Sequence, residues 1–207
     1  TRQADLVLHL PLRFEDETRI TPIADAIPGV AAQFEVIVIT TEIAYRPRQQ
    51  LVCRVEDDSG QLVLRFLNFY PSQQKVLQAG ARLRVFGEVR GGFWGSELIH
   101  PRFHVVHGDE ALPTALTPVY PTTAGLGQAT LRRLIERALN EVDLAETLPQ
   151  PLIDRLQLDD FAESVRSLHA PSPGLSEEAV AAAQRPAWQR IAFDELLAQQ
   201  ISLRQAY

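Results

Sequence analysis

Few side chains in this 207-residue sequence have the types and spacing that catalysis requires. Asp57, Asp58 and Ser59 could supply an acid and a nucleophile, but these residue types before a glycine are typical of a tight turn between strands. A phosphate-binding loop needs a lysine that follows glycine, whereas the single lysine, Lys75, follows Gln74. We therefore expect no catalytic residue, no cofactor and no ATPase activity in the chain itself.

The histidines between residues 100 and 107 do not form a metal-binding pattern. They lie in strand-like sequence that contains Pro101, where side chains alternate between two faces. Only His100 and His104 share a face, and His107 falls on the other. We expect no metal site.

Arginine and aromatic side chains alternate in one part of the chain. Guanidinium groups bind phosphates and aromatic rings stack on bases, so this composition suits a surface that contacts nucleic acid. Residues 44–104 carry nine basic and five acidic side chains, although the formal net charge of the whole chain is -6. One locally basic segment therefore lies inside an acidic protein.

Five strands are predicted to position these side chains. Apolar residues recur with a period of two in "QFEVIVITTEI", "QQLVCRVEDD", "GQLVLRFLNF", "ARLRVFGEVR" and "GSELIHPRFHVV". The stretches "DDSG" and "GGFWG" are turns, and "PSQQKVLQAG" is a short helix between the third and fourth strands. This order is that of a five-stranded OB fold, a Greek-key β-barrel that commonly binds single-stranded nucleic acid.

Helical patterns follow the last strand. "GQATLRRLIERALNEV" has an apolar stripe, and Asp160 with Glu163 predicts a capping box. We predict an α+β protein with a lead-in segment over residues 1–32, the OB fold over 33–108 and a helical appendage over 109–207. No apolar run is long enough to span a membrane, so we expect a cytoplasmic protein.

Strand parity predicts which barrel side chains face solvent, because successive residues point to opposite faces. In the third strand it assigns Phe66 to the core. The residues predicted for the other, outward face of the third strand are Val63, Arg65, Leu67 and Phe69. Those predicted for the fourth strand are Arg82, Arg84, Phe86 and Arg90. Arg46 and Arg48, in the loop "YRPRQQ", add positive charge at one rim of the barrel.

Five stretches together resemble the amino-terminal wedge region of the RecG family, bacterial ATP-dependent DNA helicases that act on branched DNA. They are spread over residues 6–203 and read "LVLHLPLRFED", "DDSGQLVLRFLNF", "GSELIHPRF", "LTPVYPTTAGLGQATLRRLI" and "AFDELLAQQISL". The combination of "IHP" with "PVYPTT" is the specific part of this resemblance.

The resemblance implies an OB barrel that binds stalled replication forks and Holliday junctions and splits the parental duplex by stacking aromatic side chains on its last base pairs. It also implies that the chain is part of a longer helicase. The downstream motor of that helicase would bind ATP and Mg²⁺ and drive fork regression and branch migration in DNA repair and recombination. We expect the chain itself to be a monomeric, non-catalytic DNA-binding wedge.

In the resemblance the strand-separating residues come from the end of the third strand. The candidates that the resemblance implies are Phe66, Phe69 and Tyr70. Leu67 occupies the position where a stacking aromatic is expected, so Phe69 or Tyr70 is expected to take that role. Parity places Leu67 and Phe69 toward DNA and Phe66 in the core, and the placement of Tyr70 is left open. The full set of residues predicted to bind DNA is Arg46, Arg48, Arg65, Leu67, Phe69, Tyr70, Arg82, Arg84, Phe86 and Arg90.

A second interpretation is a protein-interaction OB module whose arginine face and groove bind a partner peptide. The resemblance suggests single-stranded DNA-binding protein as the source of such a peptide. An enzyme in its own right would need chemistry among the residues assigned to turns. Binding to forked, duplex and single-stranded DNA separates the first two interpretations.

Overall fold

The computed structural model describes residues 3–46, 48–92, 95–174 and 177–206. The strands are β1 (Arg13–Glu15), β2 (Ala31–Ala44), β3 (Gln50–Asp57), β4 (Gly60–Phe66), β5 (Arg82–Gly92), β6 (Gly95–Ile99), β7 (Arg102–Val105) and β8 (Thr117–Val119). The helices are α1 (Gln3–Val7), α2 (Pro71–Val76), α3 (Gln128–Glu141), α4 (Gln150–Leu156), α5 (Phe161–His169) and α6 (Glu177–Gln205), with one 3-10 turn at Ile23–Asp25.

The chain divides into two compact units. A strand-rich unit spans Asp16–Thr114, and a helical unit combines Thr1–Glu15 with Ala115–Tyr207. The predicted lead-in of residues 1–32 is divided between these units, since residues 1–15 belong to the helical unit and residues 16–32 to the strand-rich one, and residues 109–114 also belong to the strand-rich unit. Within the helical unit β1 pairs antiparallel with β8. A pairing of two three-residue strands about a hundred residues apart leaves no periodic signal in the sequence.

The strand-rich unit is an OB fold, as predicted. β2, β3 and β4 form an antiparallel meander, and β4 then pairs parallel with β6. β5 pairs antiparallel with both β6 and β2, which closes the barrel. The helix α2 connects β4 to β5, as the sequence pattern indicated.

The predicted fifth strand is divided into β6 and β7. Val89 of β5 pairs with Leu98, whereas Val85 pairs with Phe103. The chain from β6 to β7 therefore has one more residue than β5 over this stretch. This is a β-bulge, and it lies at His100, whose φ is 50°. Phe93 and Trp94, in the predicted turn "GGFWG", lie outside the described residues.

The barrel core is built from alternate strand positions that point inward, as period-two sequence requires. Phe66 and Cys53 are both buried in it, which confirms their predicted places. At one end Asp57 accepts hydrogen bonds from the Ser59 and Gly60 amides at 2.7 and 2.9 Å, which confirms the predicted turn. Burial alone raises the pKa of Asp57, but these bonds and those from the Ser59 hydroxyl and the Ile23 amide bring it below its usual value.

The helical unit has a core of its own. It consists of two buried clusters. The first contains Val7, Ala138, Leu144 and Val165, and the second contains Tyr120, Leu131 and Ile135. The Asp160 side chain accepts a hydrogen bond from the Glu163 amide at 2.8 Å and caps α5, which is one of the two bonds of the predicted capping box. Within the described ranges, none of the helices combines the length and apolar character that crossing a bilayer requires.

Candidate nucleic-acid interface

Strand register places three chain segments at one end of the barrel. Ala44 pairs with Gln50 across the β2–β3 hairpin, Leu51 pairs with Phe66, and Arg65 pairs with Ile99. The hairpin loop, the segment that follows β4 and the bulge that follows β6 therefore meet there. We call this end the rim and define it by Tyr45, Arg46, Arg48, residues 67–70 and His100.

The hairpin loop carries the most accessible positive charge of the rim. Arg46 and Arg48 are both exposed, and neither forms an ion pair with any described residue. Tyr45, beside them, is 70% exposed. Both arginines were predicted from the sequence, whereas Tyr45 was not, although an aromatic residue directly before two arginines in a loop is a signal for such a surface.

Tyr70 has an exposed ring on a fixed backbone. The residue is 74% exposed, yet its amide donates to the Gln73 side chain at 2.9 Å and its carbonyl accepts from the Gln73 amide at 2.9 Å. Pro71 then begins α2 with a preset φ, which limits the backbone further. Tyr70, whose placement the sequence left open, therefore presents its ring to solvent from a fixed backbone.

Phe69 does not lie on the open surface that parity predicted. Its side chain is half-buried and packs against the barrel core. The prediction was wrong because β4 ends at Phe66, and alternation cannot be extended beyond the last paired residue. Leu67 is also half-buried, and its amide donates to the Nε2 atom of His100 at 3.2 Å.

Arg65 is held inside a side-chain network. Its Nε donates to Glu97 at 3.0 Å and its Nη1 to the Gln50 side chain at 3.2 Å. Gln50 in turn donates to the carbonyl oxygen of Arg46 at 3.4 Å. Arg65 is therefore positioned to support the hairpin loop, and its charge is matched by Glu97.

The arginines of β5 are also matched by carboxylates. Arg82 and Arg84 both contact Glu35 on the neighbouring strand, with the Arg84 Nε at 3.0 Å, and Arg90 pairs with Glu88 at 3.3 Å. Burial alone raises the pKa of Glu35, but the hydrogen bonds from Arg82 and Arg84 bring it below its usual value. Glu35 is therefore ionised near neutral pH.

Two side chains of the predicted outward face are buried. Arg84 is 7% exposed, and its Nη1 donates to the carbonyl oxygen of Ala111 at 3.2 Å. Phe86 is buried beneath the guanidinium of Arg102, which lies 4.8 Å from the ring centroid. The parity prediction was wrong at both positions because chain segments after residue 100 cover this face of β5.

Comparison with known proteins decides the family. The sequence profile of the RecG wedge domain matches residues 2–142. The chain belongs to the RecG wedge domain family. The ATP-dependent DNA helicase RecG of Escherichia coli (strain K12) is 41% identical over 205 residues, covering 96% of this chain and 29% of the relative. RecG of Pasteurella multocida (strain Pm70) is 38% identical over 97% of this chain and 29% of its own length.

A solved structure of RecG bound to a three-way DNA junction has the same fold. It covers 98% of this chain and 27% of its own, with a TM-score of 0.68 at 20% sequence identity. The chain thus spans 29% of the length of the first curated relatives it matches. The resemblance predicted from the five sequence stretches is confirmed over nearly the whole chain.

The histidines of this RecG wedge family member have separate surroundings. His104 lies 3.4 Å from Glu110, whereas His100 contacts the amide of Leu67. In the part of the chain that the structure describes, no three His, Cys, Asp or Glu side chains are grouped as a metal site would require. The sequence does not indicate the place of His100 in the rim, because the bulge that orients its ring arises from pairing with β5.

Proposed function

We propose that this chain is the DNA-binding wedge of a RecG-type helicase and that its rim contacts the branch point of forked DNA. The observation that carries the proposal is the combination at one barrel end of two exposed arginines, Arg46 and Arg48, which have no ion pair among the described residues, with the exposed ring of Tyr70. Positive side chains without a carboxylate partner attract phosphates, and an exposed ring covers the end of a base pair.

The barrel supplies the rigidity that a wedge needs. The hairpin loop is tied to Arg65 through Gln50, and the segment after β4 is fixed at Leu67 and at Tyr70 by hydrogen bonds. When duplex DNA is pulled against these side chains, the rim keeps its position, so the two DNA strands separate on either side of it. Shape is recognised at the branch, and base sequence is not.

ATP and Mg²⁺ do not fit the residues of this chain. Its single lysine, Lys75, is exposed on α2 after Gln74 and outside any glycine-rich loop. We propose that the rest of the parent helicase binds both and supplies the motor for fork regression and branch migration in DNA repair and recombination. The curated relatives, named as ATP-dependent DNA helicases, support this assignment.

The test is an anisotropy titration of the purified chain with a three-way fork, a duplex and a single strand of equal nucleotide number. We expect the fork to bind most tightly and the preference to fall in Tyr70→Ala. Arg90→Ala is the matched control, because Arg90 is exposed on the same barrel but pairs with Glu88. Equal affinity for fork and duplex would contradict the wedge function and favour the peptide-binding module.

A further inference from the structure

His100 occupies the bulge between β6 and β7, in a backbone conformation that favours glycine. Its φ is 50°, and its amide donates to the carbonyl oxygen of Arg65 at 2.8 Å, which extends the parallel ladder between β4 and β6 by one bond. A bulge of this kind is accommodated most easily by a residue without a Cβ. In this chain the position carries an imidazole instead.

The His100 ring joins the core to the segment that follows β4. Its Nε2 accepts a hydrogen bond from the Leu67 amide at 3.2 Å, which requires a neutral ring with its proton on Nδ1. The ring also packs edge-on against Phe66, with centroids 6.2 Å apart and planes at 85°. Phe66 is buried, so one side of the imidazole rests on a fixed support.

We propose that His100 is the positioning residue of the rim. The segment 67–70 leaves β4 at Phe66 and is tied at its beginning to His100 and at its end to Gln73. Without the imidazole the first of these ties is lost, and the segment pivots about Tyr70. The effect of His100 on DNA binding rests on the proposed function, whereas the effect of His100 on the segment 67–70 does not.

Two substitutions separate the side chain from the backbone. His100→Gly suits the positive φ and removes the acceptor, whereas His100→Gln places an amide oxygen near the position of Nε2. In hydrogen exchange followed by NMR, we expect the Leu67 amide to exchange at least about 10-fold faster in His100→Gly, and to regain protection in His100→Gln. Leu64, within β4, is the internal reference. His104→Ala is the control for loss of an exposed imidazole.

In the fork titration, His100→Gly should lose severalfold preference for fork over duplex while its duplex affinity is unchanged, and His100→Gln should recover the preference. Unchanged Leu67 exchange in His100→Gly overturns the proposal, whatever happens with DNA. A preserved fork preference in a His100→Gly protein whose Leu67 amide is unprotected overturns it as well. If exchange follows the proposal and the unsubstituted chain shows no fork preference, His100 positions the segment and the proposed wedge function fails.

Discussion

Two groups of arginines lie on the same barrel and differ in what surrounds them. Arg82, Arg84 and Arg90 on β5 each contact a carboxylate, and Arg84 is buried. Arg46 and Arg48 project from the hairpin loop without an ionic partner among the described residues. A guanidinium that is already paired gains less from a phosphate, because the existing bond must be broken first. Of the two groups, the rim arginines are therefore the ones whose positive charge is available to a phosphate, although β5 has more arginines.

The largest expected effect concerns the buried member of the β5 group. Arg84→Ala leaves the Glu35 carboxylate largely buried without one of its two partners, so we expect a loss of about 3 kcal/mol in the free energy of unfolding. Urea titration measures this loss.

Arg82→Ala is the control for Arg84→Ala, because Arg82 shares Glu35 but is half-exposed. Its cost should be about 1 kcal/mol or less. Equal costs for the two variants would show that burial does not distinguish these arginines.

The helical unit contains a third environment, in which Arg190 is 1% exposed between Glu146 and Asp194 at 2.7 and 2.9 Å. The hydrogen bond from Arg190 outweighs burial and lowers the pKa of Glu146 to about 2. Because the folded-state pKa lies below the unfolded one, this stabilisation is complete above about pH 4.5 and is lost as the pH falls toward 2.

We therefore expect acid to weaken the helical unit by up to about 3 kcal/mol over this range. Urea titrations at several pH values, followed by circular dichroism at 222 nm, measure the loss. Glu146→Gln removes the titrating group and should flatten the dependence. An equally steep dependence in that variant would assign the acid sensitivity to other carboxylates.

The sequence predicts the barrel more completely than its surface. Strand order, the turn at Asp57 and the burial of Phe66 follow from period two and turn chemistry, which are local properties. The pairing of Arg84 with Glu35 joins residues 49 positions apart, and Arg102 covers Phe86 only through the pairing of β5 with β7. Periodicity assigns a side chain to a face, but it does not reveal what covers that face.

The aromatic residues after β4 extend the comparison to stacking. Tyr70→Ala should reduce fork preference by about 1 to 3 kcal/mol, because its exposed ring is available to a base pair. Its unfolding free energy should change by less than about 0.5 kcal/mol, since the substituted ring makes few contacts. Fork and duplex titrations with a parallel urea titration measure both quantities.

Phe69→Ala is the contrasting variant. The Phe69 ring packs on the core, so the substitution should cost measurable stability, unlike that of Tyr70. A stable Phe69→Ala protein with lost fork preference would restore the prediction made from strand parity.

The exposed hairpin arginines, Arg46 and Arg48, should control the salt dependence of binding. Each phosphate contact contributes about −0.9 to the slope of log affinity against log salt on duplex, so Arg46→Ala combined with Arg48→Ala should flatten it by about two units. Arg82→Ala combined with Arg90→Ala is the matched double variant and should leave the slope nearly unchanged. The opposite result would place phosphates on β5 and reverse the comparison between the two arginine groups.

The smallest expected effect comes from the position where the family resemblance predicts an aromatic. Leu67 is half-buried, and its amide is held by His100, so a larger ring there would start from a fixed backbone. Leu67→Phe should sharpen fork preference by up to about 1 kcal/mol, because a ring stacks on a base pair more favourably than an aliphatic side chain. Leu67→Met, similar in size to leucine and unable to stack as a ring, is the control. If phenylalanine and methionine give the same preference, the branch does not meet position 67, and Tyr45 and Tyr70 become the rings to which the parental duplex is assigned.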